Sequence, residues 1–144
     1  MRKYELSKIY QGRLKKGDDI IQGITEILKD NAMNSGVIFG IGAVSSAKLG
    51  YFNQVDKKYE EEQFDEMMEI VSLNGNISIK NNEPFPHLHA AFSKRDFSAI
   101  GGHLLPGTMV YAFEFAIFAL DGEHMVREFD ADTGLFIWQV GGNP

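Results

Sequence analysis

At 144 residues the chain is long enough to bury a core of its own in one domain, residues 1–144, and with no cysteine it can build no disulfide framework, thiolate metal site or cysteine nucleophile. Its net charge of −6 and pI near 5.1 work against binding a polyanion, because affinity for nucleic acid rests on Lys and Arg neutralising phosphates. The longest apolar run, Met109 to Leu120, is too short to cross a bilayer and contains Glu114, and Met1-Arg2-Lys3-Tyr4-Glu5 leads into no secretion signal, so a soluble protein of the reducing cytoplasm is expected.

Tyr4 to Leu14 alternates well enough for a strand that Gly17-Asp18 ends. Asp18 or Asp19 can then cap a helix in which Ile20, Ile21, Ile24, Ile27 and Leu28 recur at helical spacing to about Ala32, and its apolar stripe must cover a sheet. Val37 to Val44 reads as a buried strand and Ala47 to Asn53 as its antiparallel follower. Gly40-Ile41-Gly42 resembles the start of a dinucleotide-binding turn, but the third glycine is missing and no helix follows, so that reading is rejected. The charged stretch Lys57 to Glu62 fits a solvated loop or strand edge.

From Phe64 onward the pattern is strand after strand. Asn74-Gly75 predicts a hairpin between Met68–Leu73 and Ile77–Lys80, and Asp121-Gly122 predicts another, joining Met109–Leu120 to Glu123–Phe129. Asn76-Ile77-Ser78 matches a glycosylation sequon, which carries no weight without secretion. Glu114 lies in a segment apolar on both faces and needs a partner if buried. Arg13 and Arg127 are the candidates, Arg127 as a diagonal neighbour across the second hairpin. An ion pair is the expected role; proton transfer, or support of a metal-bound histidine, is the alternative. Phe136, Ile137, Trp138 and Val140 suggest a partner surface or a segment folded back on the domain's own sheet, and Gly141 to Pro144 a frayed tail. The expected class is α/β in the α+β sense, a mostly antiparallel sheet against one or two helices.

Three of the four histidines fall between His87 and His103. If Phe85 to Ser93 is a strand, His87 and His89 project from one face about 6–7 Å apart and can converge on one divalent ion. His103 can add a third nitrogen from the next strand or turn, with Gly101-Gly102 letting the backbone come close. The alternative is that His87 and His89 share an exposed face by chance and His103 caps a turn. Three neutral nitrogens suit zinc, and iron, nickel or copper nearly as well, and a site with three protein ligands leaves a position for a water or substrate oxygen. No Glu or Asp adjoins these histidines to act as a general base, so the pattern permits catalysis without assigning a reaction.

With Arg13-Leu14, Gly17-Asp18-Asp19, Ile41 to Val44 leading to Leu49-Gly50-Tyr51-Phe52, Glu69 to Ser78, His87-Leu88-His89-Ala90, Gly101-Gly102-His103-Leu104 and Glu114 in order, the chain resembles the plants-and-prokaryotes conserved (PPC) domain over nearly its whole length. The resemblance implies a largely antiparallel α/β domain, a homotrimer, and metal ligands at His87, His89 and His103. Plant members carry the domain behind AT-hooks, whose Arg-Gly-Arg core enters the DNA minor groove. This chain's only Gly-Arg pair is Gly12-Arg13, and neither terminus carries a basic extension, so direct DNA binding is not expected. The expected function is a cytoplasmic homotrimer with a three-histidine metal site, most naturally zinc, that binds a small-molecule ligand or supports a metal-assisted reaction. The rivals are a DNA-associated regulator acting through trimerisation and partner recruitment, and an assembly module with idle histidines.

Overall fold

The computed structural model describes residues 2–139. Helix α1 (Ile20–Asp30) forms where Ile20, Ile24 and Leu28 recur every four residues, and all three are fully buried. The Asp19 carboxylate caps it, accepting the Gln22 amide hydrogen at 3.0 Å through one oxygen and that of Gly107 through the other, which ties the helix start to a distant loop.

Among the described residues nine strands accompany it: β1 (Glu5–Leu14), β2 (Gly36–Asn53), β3 (Lys58–Phe64), β4 (Met68–Lys80), β5 (Glu83–Ser93), β6 (Ala99–Leu104), β7 (Met109–Asp121), β8 (Arg127–Asp130) and β9 (Leu135–Trp138). The first seven make one antiparallel sheet in the order β1-β7-β2-β4-β5-β6, with β3 on the far half of β2. β6 pairs with β5 and also reaches β2 at Leu49 and Gly50, so the sheet curls back on itself. Ile38, Leu73, Leu88, Phe92 and Phe113 fill the core between this curl and α1. The architecture is the expected α+β one, with a single helix among the described residues.

Three expected turns are absent. Val37–Val44 and Ala47–Asn53 are one continuous strand: no residue at Ser45-Ser46 takes the positive φ of a tight reversal, and the strand instead changes partners, from β4 and β7 to β3 and β6. Asn74-Gly75 lies inside β4, opposite His89 and Leu88. The reversal comes at Asn81-Asn82, whose φ values of 53° and 63° suit a type I′ turn. Gly75 serves close approach: a Cβ there would stand 2.0 Å from the His87 carbonyl oxygen.

The chain after Asp121-Gly122 does not fold back on β7, because β1 and β2 already occupy both edges of that strand. It crosses to β4, making a parallel bridge between Ile79 and Val126, and β8 pairs with β9. Arg127 is therefore far from Glu114. Glu114 is exposed on the outer sheet face, with Arg13 and Ile41 as its register neighbours, so the expected burial and pairing with Arg127 are corrected.

Lys58 to Phe64 is an exposed edge strand, one of its two expected forms. At the other end of the chain, Ile137 and Trp138 fold back half-buried on the domain, while Phe129 and Phe136 stay exposed; Val140 and the glycine-rich tail lie outside the described residues. The larger apolar exposure is on the outer face of β1 and β2, where Ile9, Phe39 and Ile41 are each more than half exposed.

Gly75→Ala is expected to cost about 1–3 kcal/mol, because the clash is with backbone that cannot swing aside. For a chain of this size that lowers Tm by several degrees, read by calorimetry; Asn82→Gly, at a turn position with positive φ, serves as a control with little loss or a small gain.

Candidate metal centre

Strict alternation along β5 sends Pro86, Leu88, Ala90 and Phe92 into the core and leaves Phe85, His87 and His89 on the opposite face. Register places Asn74 and Asn76 of β4 directly across from His89 and His87, and His103 of β6 directly across from His89. His103 is in turn paired with Gly50 of β2. A Cβ on Gly50 would lie 3.0 Å from the Tyr59 ring, so the bare backbone lets Tyr59 tilt over His103 at 5.2 Å between ring centroids.

All three predicted histidines converge. Their ring centroids are 5.2 Å (His87–His89), 4.9 Å (His87–His103) and 5.3 Å (His89–His103) apart, and one nitrogen from each lies within 4.8 Å of the other two. Tetrahedral zinc with bonds of about 2.0–2.1 Å needs nitrogens about 3.3 Å apart, so the three rings would draw in towards an ion. Nδ1 of His103 is buried without a hydrogen-bond partner among the described residues, which suits a lone pair meant for an ion.

The electrostatics keep these rings neutral, the form that ligates. Burial, then the Arg127 charge and the neighbouring imidazoles, hold His87 down at about 3; burial, then His89, Arg127 and Lys80, hold His103 at about 4. His89, the most open of the three, is lowered by burial. Among the described residues no Asp or Glu joins the cluster.

Beside the rings lies a cleft of about 330 Å³ bounded by Tyr59, Lys80, Phe85, Arg127 and the β9 residues Leu135 to Ile137. Arg127 donates through Nε to Ser78 Oγ (2.9 Å), through Nη1 to the Phe136 carbonyl (3.1 Å), and through Nη2 to Asn76 Oδ1 (2.8 Å) and His87 Nδ1 (3.0 Å). A larger cleft of about 400 Å³ along Met67, Lys94 and Phe97 holds no comparable set of ligands. Sequence reasoning missed Arg127, Tyr59 and Lys80 as neighbours of the histidines. The available signal was Asn76-Ile77-Ser78: in a strand, its two polar residues stand on the face that β5 gives to His87.

Comparison with known proteins shows the family and the fold. The model of the Plants and Prokaryotes Conserved domain matches residues 1–121. A metal-containing protein from Archaeoglobus fulgidus is 39% identical, covering 96% of this chain and 97% of that one, with a TM-score of 0.92. A plant- and prokaryote-conserved protein from Pyrococcus horikoshii is 29% identical, with 99% of both chains covered and a TM-score of 0.93. A protein from Bacteroides thetaiotaomicron that carries a provisional DNA-binding label is 34% identical, covering 94% and 96%, at 0.85. A bifunctional protein GlmU from Synechococcus is 29% identical over 142 residues, 95% of this chain, but the chain spans only about a fifth, 21%, of that relative's length.

Metal-free protein should be sensitive to acid in a defined direction. Folded His87 and His103 take up protons only at about pH 3 and 4, whereas both protonate near 6.5 when unfolded. The unfolded chain binds the extra protons between those limits, so stability falls as pH drops through about 6.5 towards the folded values. Urea midpoints taken in chelator from about pH 7.5 to 4.5 should fall with this slope, and a His87→Gln, His103→Gln double variant should lose part of it; identical slopes would show that the two rings are not held neutral.

Proposed function

The chain belongs to the Plants and Prokaryotes Conserved domain family, and from that membership we propose that it binds one divalent ion through His87, His89 and His103 and takes a small-molecule ligand at the coordination position they leave open. The observation that carries this reading is the convergence of three imidazoles from two adjacent strands, with no Asp or Glu in the cluster among the described residues. Zinc fits an all-nitrogen site with no redox requirement and is the ion we assign. A divalent ion there would polarise a carbonyl or phosphoryl oxygen. Tyr59 and Lys80 stand in the adjoining cleft where they can orient such a group.

The working unit is a homotrimer, and the surface that supports it is the outer sheet face. Ile9, Phe39 and Ile41 form an apolar patch there with the Phe39–Phe118 edge contact at 5.9 Å, and Glu114 and Arg13 sit beside it as polar partners for a second copy. Such a patch is costly to leave in water. A cysteine-free composition suits the reducing cytoplasm, the compartment this reading assigns. A second reading, regulation at DNA, draws on the provisional label of the 34%-identical B. thetaiotaomicron protein; the net charge of −6 opposes it.

Elemental analysis of untagged protein purified without added metal or chelator should give about one equivalent per chain, and a His87→Ala, His89→Ala variant almost none; metal in neither leaves the assembly role alone. Light scattering should give three times the 16.1 kDa chain mass, and Ile41→Glu should reduce it to that of one chain. A DNA mobility shift that survives about 150 mM salt favours the regulatory reading instead.

A further inference from the structure

We infer that Arg127 is the anion-binding half of this centre: an ion on the three histidines releases one Arg127 N–H from His87, and that N–H receives a small carboxylate or phosphate that also reaches the ion. The inference rests on the metal-binding reading above. It follows from counting lone pairs. A guanidinium can only donate, so His87 Nδ1, 3.0 Å from Nη2, offers its lone pair to Arg127. A neutral imidazole has one proton and one such lone pair. If the ion binds His87 at Nδ1, it takes the place of the Arg127 hydrogen. If it binds at Nε2, the ring proton moves to Nδ1 and faces the Arg127 N–H. In both cases the hydrogen bond between Arg127 and His87 is lost.

The rest of the guanidinium stays in place. Ser78, Asn76 and the Phe136 carbonyl retain three of its hydrogen bonds, and Phe85 and Trp138 flank it at 5.6 and 5.4 Å. The guanidinium therefore stays beside the histidines in a side chain only 8% exposed, and the released N–H turns off the His87 axis into the cleft, since 3.0 Å leaves no room for an acceptor between Nη2 and Nδ1. A charged donor left unpaired at that depth is costly, and an acceptor that carries charge relieves it best.

The surrounding charge selects the same class of ligand. Lys80 holds its ammonium over Phe136 at 4.5 Å and Phe85 at 4.9 Å, on the same cleft, and no Asp or Glu lines it. Arg127, Lys80 and a divalent ion together place several positive charges around about 330 Å³ with no anion from the cleft's own lining. In a chain of net charge −6 this cleft is a cationic exception, and it suits a small oxyanion. Phe85, Leu135, Phe136 and Ile137 supply walls for an apolar body attached to that group.

The test is made on cobalt-substituted protein, whose visible absorption reports both loading and a new ligand on the ion. Acetate and methylphosphonate are titrated separately, which distinguishes a carboxylate site from a phosphate site, with neutral acetamide as the control. At least one of the two anions should change the spectrum saturably and acetamide should not. Arg127→Lys should weaken that anion roughly tenfold or more, and Lys80→Met by a smaller factor, while both retain the cobalt spectrum. Failure to take up cobalt at the histidines overturns the metal reading and this inference with it. A normal cobalt spectrum that answers to neither anion, or that answers equally in wild type and Arg127→Lys, overturns the inference alone. Should Arg127→Lys fail to fold, the contrast between the anions and acetamide, together with the Lys80→Met titration, decides it: equal responses to acetamide, or no change in Lys80→Met, reject the anion site.

Discussion

The pairing of β6 with two strands at once determines where the chemistry can be. On one side it puts His103 across from His89, and on the other it puts His103 across from Gly50. A flat sheet with β6 as a free edge would still align His103 with His89, but it would lose the Gly50 contact and with it Tyr59, which closes over the ring. The curl requires a long β2 that serves β4 and β7 with its first half and β3 and β6 with its second. Close approach at Gly50 and Gly75 is part of the same constraint: a side chain at Gly75 would meet the His87 backbone of β5, and one at Gly50 would displace the Tyr59 ring that lies over His103.

The sheet has two faces with different fates around this centre. One is covered by α1 and holds the apolar core. At the β4–β5 end the other face is partly covered by β8 and β9, and there Ser78 is fully buried although its neighbour Ile77 is buried too, on the opposite side. A serine in that position needs a partner, and Arg127 provides one. The arginine is itself kept by polar groups that β4 presents every second residue, so the strand that supports His87 through its register also fixes the cation beside it. Among the described residues the part of that face over β1 and β2 has no such cover, and Ile9, Phe39 and Ile41 stand more than half exposed there.

The strand β5, the helix α1 with one of two adjacent aspartates as its cap, and the meeting of His87, His89 and His103 were legible in the residues. Each depends on periodicity within one element: a period of two sends alternate residues to one face, and a period near 3.6 builds one stripe. His103 was harder, since its place depends on a strand partner, but Gly101-Gly102 marked a close approach of backbone. Asn74-Gly75 and Asp121-Gly122 misled because the same dipeptides that suit a tight turn also suit a strand squeezed between neighbours or a departure to another part of the sheet. Local chemistry does not say which edge of a strand is already taken.

What the sequence by itself determined is therefore the helix, the alternation of β5, and the three histidines that come together on one face. Only the tertiary structure decided that Glu114 lies exposed on an outer face, that Arg127 belongs to the histidines and not to Glu114, and that Tyr59 and Lys80 complete the cleft. The physical reason is that facing within an element follows from bond geometry a few residues long. The meeting of residues 40 or more positions apart follows from which strand edges remain free for hydrogen bonding once the rest of the sheet has formed.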